Sequence, residues 1–335
     1  MSEVTREGQR GVQPGSEAPP GNNAGRWRRR RRGENPTVPR AEFTSYYGKP
    51  VINAPIWAAP DIAGYLFLGG LAGASSLLAA GAQLTGRPSL ARAAKAGAFG
   101  AGCLSMVALI HDLGRPARFL NMLRVVKVSS PMSIGSWLLS GYVPAAGVAA
   151  ASALTGKLPR LGAAATAGAA LAGPAVAAYT AALISDTAVP AWHDGYPEMP
   201  FLFTGSAATA AAGLGLLAAP PAETSPARNL GLFGAGLELA SFHLMTKRIG
   251  MVAEPYHQGR AGIYLKAGEV LAALGVAGSL AGRRSRAVSA LSGAALLAAS
   301  AATRFGIFHA GLASANDPKY TVIPQRERLQ RRPAV

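Results

Sequence analysis

Asp61 and Tyr65 stand one helical turn apart, so a helix through them carries a carboxylate and a phenol on one face. That pairing suits proton transfer, with the phenol as hydrogen-bond donor and the carboxylate as the link to water. His111 and Asp112 place an imidazole beside a second carboxylate. Tyr179 and Asp186 follow, then Glu238 and His243, then Lys266 and Glu269 at i, i+3, and finally Arg304 and His309. Most lie inside or at the ends of apolar stretches, where a charge costs several kcal/mol and an ionisable side chain is a functional candidate by default. Structural roles compete with functional ones. Lys266 and Glu269 are spaced to neutralise each other, Arg304 has Glu238 or Glu269 as possible partners, and Asp112, Asp186 and His309 sit where interfacial groups belong.

Metal and redox chemistry of the chain's own is limited by residue supply. Cys103 is the only cysteine, which excludes an internal disulfide and an iron–sulfur cluster, since a cluster takes about four thiolates. Axial haem ligation needs two histidines facing each other at matched depth. His193 and His257 fall in connections, His111 and His309 at segment ends, and only His243 lies well inside an apolar segment. A haem-free, metal-free chain is expected.

The elements that carry these residues are long apolar segments. Half the residues are hydrophobic and 15% are charged, against about 25% in an ordinary soluble domain. The apolar content is mainly Ala, Gly and Leu, which favours helices packed closely in lipid. A membrane-crossing helix takes about 20 mainly apolar residues. Eight segments qualify, at 58–82, 93–111, 133–154, 161–185, 199–218, 229–248, 262–281 and 287–309. The fold expected is all-α, a polytopic membrane bundle of about eight helices in two four-helix halves. The membrane domain spans 56–310, after a basic, Pro- and Gly-rich head at 1–55 expected to be disordered, and before a polar tail at 311–335. Gly69-x-x-x-Gly73 gives the first segment a small-residue stripe for tight packing.

The net charge is +17. The basic residues sit in the tails and connections, as topology signals do, so the run Arg26 to Arg32 reads as a juxtamembrane tail touching lipid headgroups rather than a nucleic-acid site. Eight crossings put both termini on one side. That side, with the connections after the second, fourth and sixth segments, holds about twice the Lys and Arg of the other, which places the termini in the cytoplasm. The connection Thr187 to Glu198 dissents, with no Lys or Arg and with Asp194 and Glu198.

Two ordered motifs are the most specific features. His111-Asp112-Leu113-Gly114-Arg115-Pro116-Ala117-Arg118-Phe119 follows the second segment, and Ser130-Pro131-Met132-Ser133-Ile134-Gly135-Ser136-Trp137 opens the third. With Gly69-Gly70-Leu71-Ala72-Gly73 and the connection Thr187-Ala188-Val189-Pro190-Ala191-Trp192-His193, they make roughly residues 42 to 325 resemble the NrfD/polysulfide reductase membrane-subunit family. The resemblance implies a haem-free anchor holding a four-cluster ferredoxin-like iron–sulfur subunit, which contacts a molybdopterin (formate-dehydrogenase-like) catalytic subunit. It further implies exchange of electrons and protons with a quinone, here menaquinone, in the cell membrane during anaerobic respiration.

By position the resemblance puts Asp61, Tyr65, His111 and Asp112 in the catalytic part of a quinone site, with Tyr179, Arg115 and Trp137 in the pocket region. Tyr65 stands where the family often has His, and a phenol with a pKa near 10 is a poorer proton donor than imidazole. Arg118, Trp192 and His193 become candidates for docking the partner. Glu238, His243, Glu269, Lys266 and Arg304 are candidates for a proton path. Two other readings remain open: a purely structural anchor without quinone chemistry, and a proton- or ion-translocating membrane protein.

Overall fold

The computed structural model describes residues 51–330. The basic head at 1–50 lies outside them, and so does the expectation of disorder placed on it.

Eight long helices dominate. In chain order they are α1 (Ala59–Leu84), α2 (Pro88–Asp112), α4 (Pro131–Thr155), α5 (Pro159–Ser185), α7 (Met199–Ala218), α8 (Ser225–Ile249), α10 (Gly259–Ala281) and α11 (Arg286–Asn316). Short helices join them on one side only: α3 (Ala117–Met122), α6 (Pro190–Asp194) and α9 (Glu254–His257), with α12 (Lys319–Gln330) after the last long helix. No strand occurs among the described residues.

The local sequence explains where the helices begin. Six of the eight long helices have Pro at their first or second position, where its fixed φ is already helical and its missing N–H has no intrahelical partner to lose. The α11 start is capped instead by Ser285, whose Oγ accepts from Val288 N. Gly156, at φ 72°, closes α4 in the left-handed conformation that glycine adopts freely.

Seven of these helices are long and apolar enough to cross a membrane. The eighth, α8, has the length, but Arg228, Glu238, Lys247 and Arg248 make it too polar to qualify by composition. It nevertheless packs along α7 as part of the bundle. The second segment begins five residues earlier than its apolar run suggested, because Pro88 starts the helix. At the other end α11 continues to Asn316 and α12 follows, so much of the expected polar tail is helical.

The helices divide into the two expected halves, α1–α2–α4–α5 and α7–α8–α10–α11. The central pair α1 and α7 joins them, with α5 against α7 and α11 against α1. Burial follows this plan: 78% of the apolar window of α1 and 72% of that of α7 are covered, against 17% for α10 at the rim. Close approach rests on glycine pairs. A Cβ on Gly73 or Gly173 would strike the other's backbone across α1 and α5, and a Cβ on Gly213 would lie 2.6 Å from the Gly293 carbonyl across α7 and α11. Without a hydrophobic drive between helices in lipid, such backbone contacts supply the cohesion.

Candidate functional site

The start of α1, the end of α2, the start of α4 and the end of α5 converge at one face of the first half. Tyr65 and Tyr179 both lie six residues inside their helices, which puts them at matched depths of about 9 Å below the helix ends. Their hydroxyls meet: Tyr65 donates to Tyr179 at 2.6 Å, with Tyr65 fully buried and Tyr179 8% exposed. Above them, Asp61 Oδ2 is 3.1 Å from His111 Nδ1. His111 is 74% exposed and Asp61 24%, so this pair is the contact between the tyrosines' face and water. Asp112 acts electrostatically on the same pair.

Gly135 explains why the phenols can meet. The Tyr179 ring lies directly on its backbone, with no room for a Cβ. The Ser-Pro-Met-Ser-Ile-Gly motif that opens α4 therefore seats Tyr179, and its glycine is a site residue that inspection of chemistry-bearing side chains passed over. Ser105 Oγ donates to the Tyr65 carbonyl at 3.3 Å and braces α2 against α1 at this depth. Lys95 was also missed. It is 9% exposed, donates to Gln83 at 2.5 Å, and lines a small cleft with Ser76 and Thr166, toward the opposite end of the first half.

Several expected site residues lie elsewhere. Trp137 is 44% exposed, as an aromatic near the membrane surface would be. Trp192 is 0% exposed: it stacks on Trp57 at 5.8 Å, packs on Phe308 at 5.7 Å and donates from Nε1 to the Ile307 carbonyl at 2.8 Å. Trp192 is thus enclosed against α11 and Trp57. His193 beside it is exposed and bonds the Ser185 carbonyl through Nδ1 at 3.2 Å. Arg115 is exposed, and Arg118 donates to the Leu113 carbonyl at 3.0 Å, holding the turn after α2.

The proton-path candidates separate into two groups. Glu238 and Arg304 are brought together inside the second half and act on each other electrostatically. Lys266, Glu269 and His243 are exposed on α10 and α8. The i, i+3 pairing of Lys266 with Glu269 is not made, and both side chains are exposed.

The acidic connection that breaks the charge pattern is neutralised from nearby. Arg248 Nε lies 2.6 Å from Glu198 Oε1, and Arg328 Nη2 lies 3.6 Å from Asp194 Oδ1. The hydrogen bond from Arg248 holds the Glu198 carboxyl below its ordinary value. Glu254 likewise lies below its ordinary value through Lys319 and Tyr320, and joins the connection after α8 to α12. These contacts build an ordered cap on the face that carries Asp61 and His111.

A helical membrane protein with a buried phenol pair behind a water-facing Asp–His pair is the class that fold and site define. The chain belongs to the NrfD family: the family described as "Polysulphide reductase, NrfD" matches residues 52–230, which include every residue of the tyrosine site. Membership makes it a membrane subunit of a molybdopterin oxidoreductase complex. No curated protein matches the chain.

Proposed function

We propose that this subunit exchanges electrons and protons between a partner iron–sulfur protein and a quinone held at the Tyr65–Tyr179 face. The observation that carries this is the buried hydroxyl pair directly beneath the Asp61–His111 pair. A bound quinone supplies the two-electron, two-proton chemistry. The residues fit such a group: Tyr65 or Tyr179 offers a hydroxyl to a carbonyl oxygen, and the neighbouring Ile62, Leu66 and Leu139 are apolar and buried. Asp61 and His111 connect that hydroxyl to water, since each can hold a proton and His111 is mostly exposed.

Within this reading the electrons come from a four-cluster ferredoxin-like subunit beside a formate-dehydrogenase-like molybdopterin subunit, and the quinone is menaquinone. The partner docks on the capped face, where Arg115, Arg118 and His193 present donors. The location is the cell membrane, with the termini cytoplasmic by the charge count.

Tyr65→Phe, Tyr179→Phe and Asp61→Asn in the intact complex test the reading. Each is expected to lower quinone-linked turnover by about tenfold or more while the complex assembles. Full turnover in all three would favour a purely structural anchor.

A further inference from the structure

Glu238 and Arg304 take no part in the tyrosine site, yet their setting is the most unusual in the molecule. Glu238 lies near the middle of α8, and α11 brings in Arg304, which is 0% exposed. Arg304 Nη2 donates to the Phe203 carbonyl at 2.6 Å, and the guanidinium lies 3.7 Å over the Phe203 ring. Three polar atoms remain enclosed without a hydrogen-bond partner: Arg304 Nε, Arg304 Nη1 and Glu238 Oε2. A guanidinium and a carboxyl group thus share one enclosed space without a direct ion pair. Hydroxyls of Ser206, Thr209 and Thr303 border the carboxylate, and Ser206 and Ser300 are 2.9 Å apart. Arg304 is the one charge among the described residues that acts on Glu238.

Enclosed charged groups with open valences in a low-dielectric interior are heavily penalised unless something bonds them. A buried water bonding about three polar partners meets this need where the walls are polar. The walls here are.

The glycine backbone of α1 at Gly69–Gly70 lies between this cluster and the residues bordering the tyrosine site. A Cβ on Gly70 would lie 3.1 Å from Arg304 Nη2, and one on Gly69 would lie 3.3 Å from Ser105 Oγ and 3.5 Å from Thr180. Ser105 bonds the Tyr65 carbonyl, and Thr180 follows Tyr179.

We propose that water bridges Glu238 Oε2 to Arg304 Nε and Nη1, and that this hydrated pair stores a proton for the tyrosine site across Gly69–Gly70. The Glu238 carboxyl releases its proton to the bridging water, water carries that proton on to the Tyr65–Tyr179 hydroxyls, the resulting carboxylate stays opposite Arg304, and a proton arriving through water restores the carboxyl. The role rests on the quinone reading, whereas the water site does not.

The test uses the intact complex in lipid nanodiscs. Cryo-EM at a resolution that shows ordered water is expected to place at least one water within hydrogen-bond distance of both Glu238 Oε2 and Arg304. A dry space, or a direct Arg304–Glu238 ion pair, overturns the proposal, and this readout on the native protein needs no variant to fold. Glu238→Gln is then expected to slow turnover about tenfold, to enlarge the effect of D2O and to leave the quinone KM unchanged. An unchanged rate and an unchanged D2O effect overturn the proton role. Loss of the quinone reading shows separately, as full turnover in Tyr65→Phe, Tyr179→Phe and Asp61→Asn alike.

Discussion

At the scale of single residues, the outcome depended on where each side chain points. Asp61, Tyr65 and Tyr179 were legible because an ionisable or hydroxyl group in an apolar helix stands out and because helix ends set depth. Trp192 was not, since a tryptophan in a connecting segment looks exposed until Trp57 and Phe308 are seen around it. Lys266 and Glu269 had the spacing for a pair, but spacing on one helix does not say whether the helix faces the bundle or its rim. Glu198 gives a prediction at this scale. Its carboxyl is held below the ordinary value of 4.5 by Arg248, so the pair stabilises the fold above that pH and the gain is lost as pH falls through the lowered value. Arg248 is 43% exposed, which limits the pair to about 0.2–1 kcal/mol. Glu198→Gln is therefore expected to melt slightly below the native protein at pH 7, and the difference is expected to shrink as the pH is lowered below 4.5 and acid protonates Glu198. Equal melting at pH 7 would show that the pair adds nothing.

At the scale of elements, the eight helices could be read from apolar length and from proline at their starts. Their packing could not, because it is decided by which glycines lose their space to a neighbour. Gly135 shows this best. It lies in the motif that carried the family resemblance, and its reason is the Tyr179 ring against its backbone. Gly141, on the same helix, has open space around it. Gly135→Ala is expected to displace Tyr179, to destabilise the subunit by about 1–3 kcal/mol and to lower quinone-linked turnover, while Gly141→Ala leaves both near the native values. Thermal melting and turnover of the two variants check this, and equal behaviour would remove Gly135 from the site. The same reasoning explains α8: its charges hide it from composition, and only its packing against α7 shows that it belongs to the bundle.

At the scale of the whole molecule, the two sides differ in construction. The connections opposite the termini are turns of a few residues, at 85–87, 156–158, 219–224 and 282–285. The other side carries four short helices, three of which (α6, α9 and α12) are tied in by Arg328–Asp194 and Lys319–Glu254, with Arg248–Glu198 beside them, on the face that leads to Tyr65 and Tyr179. An ordered, polar platform above a buried proton-handling site is what a subunit needs if electrons reach it from a soluble partner. Loop length and composition marked this side as the more specific one but could not show the platform, since its salt bridges join segments far apart in sequence. The most direct test is affinity purification of the native complex in mild detergent, with mass spectrometry and metal analysis of what accompanies the chain. The account predicts an iron–sulfur protein and a molybdopterin- or tungstopterin-containing subunit in the same particle. Recovery of the chain alone and free of metal from intact native membranes would contradict it.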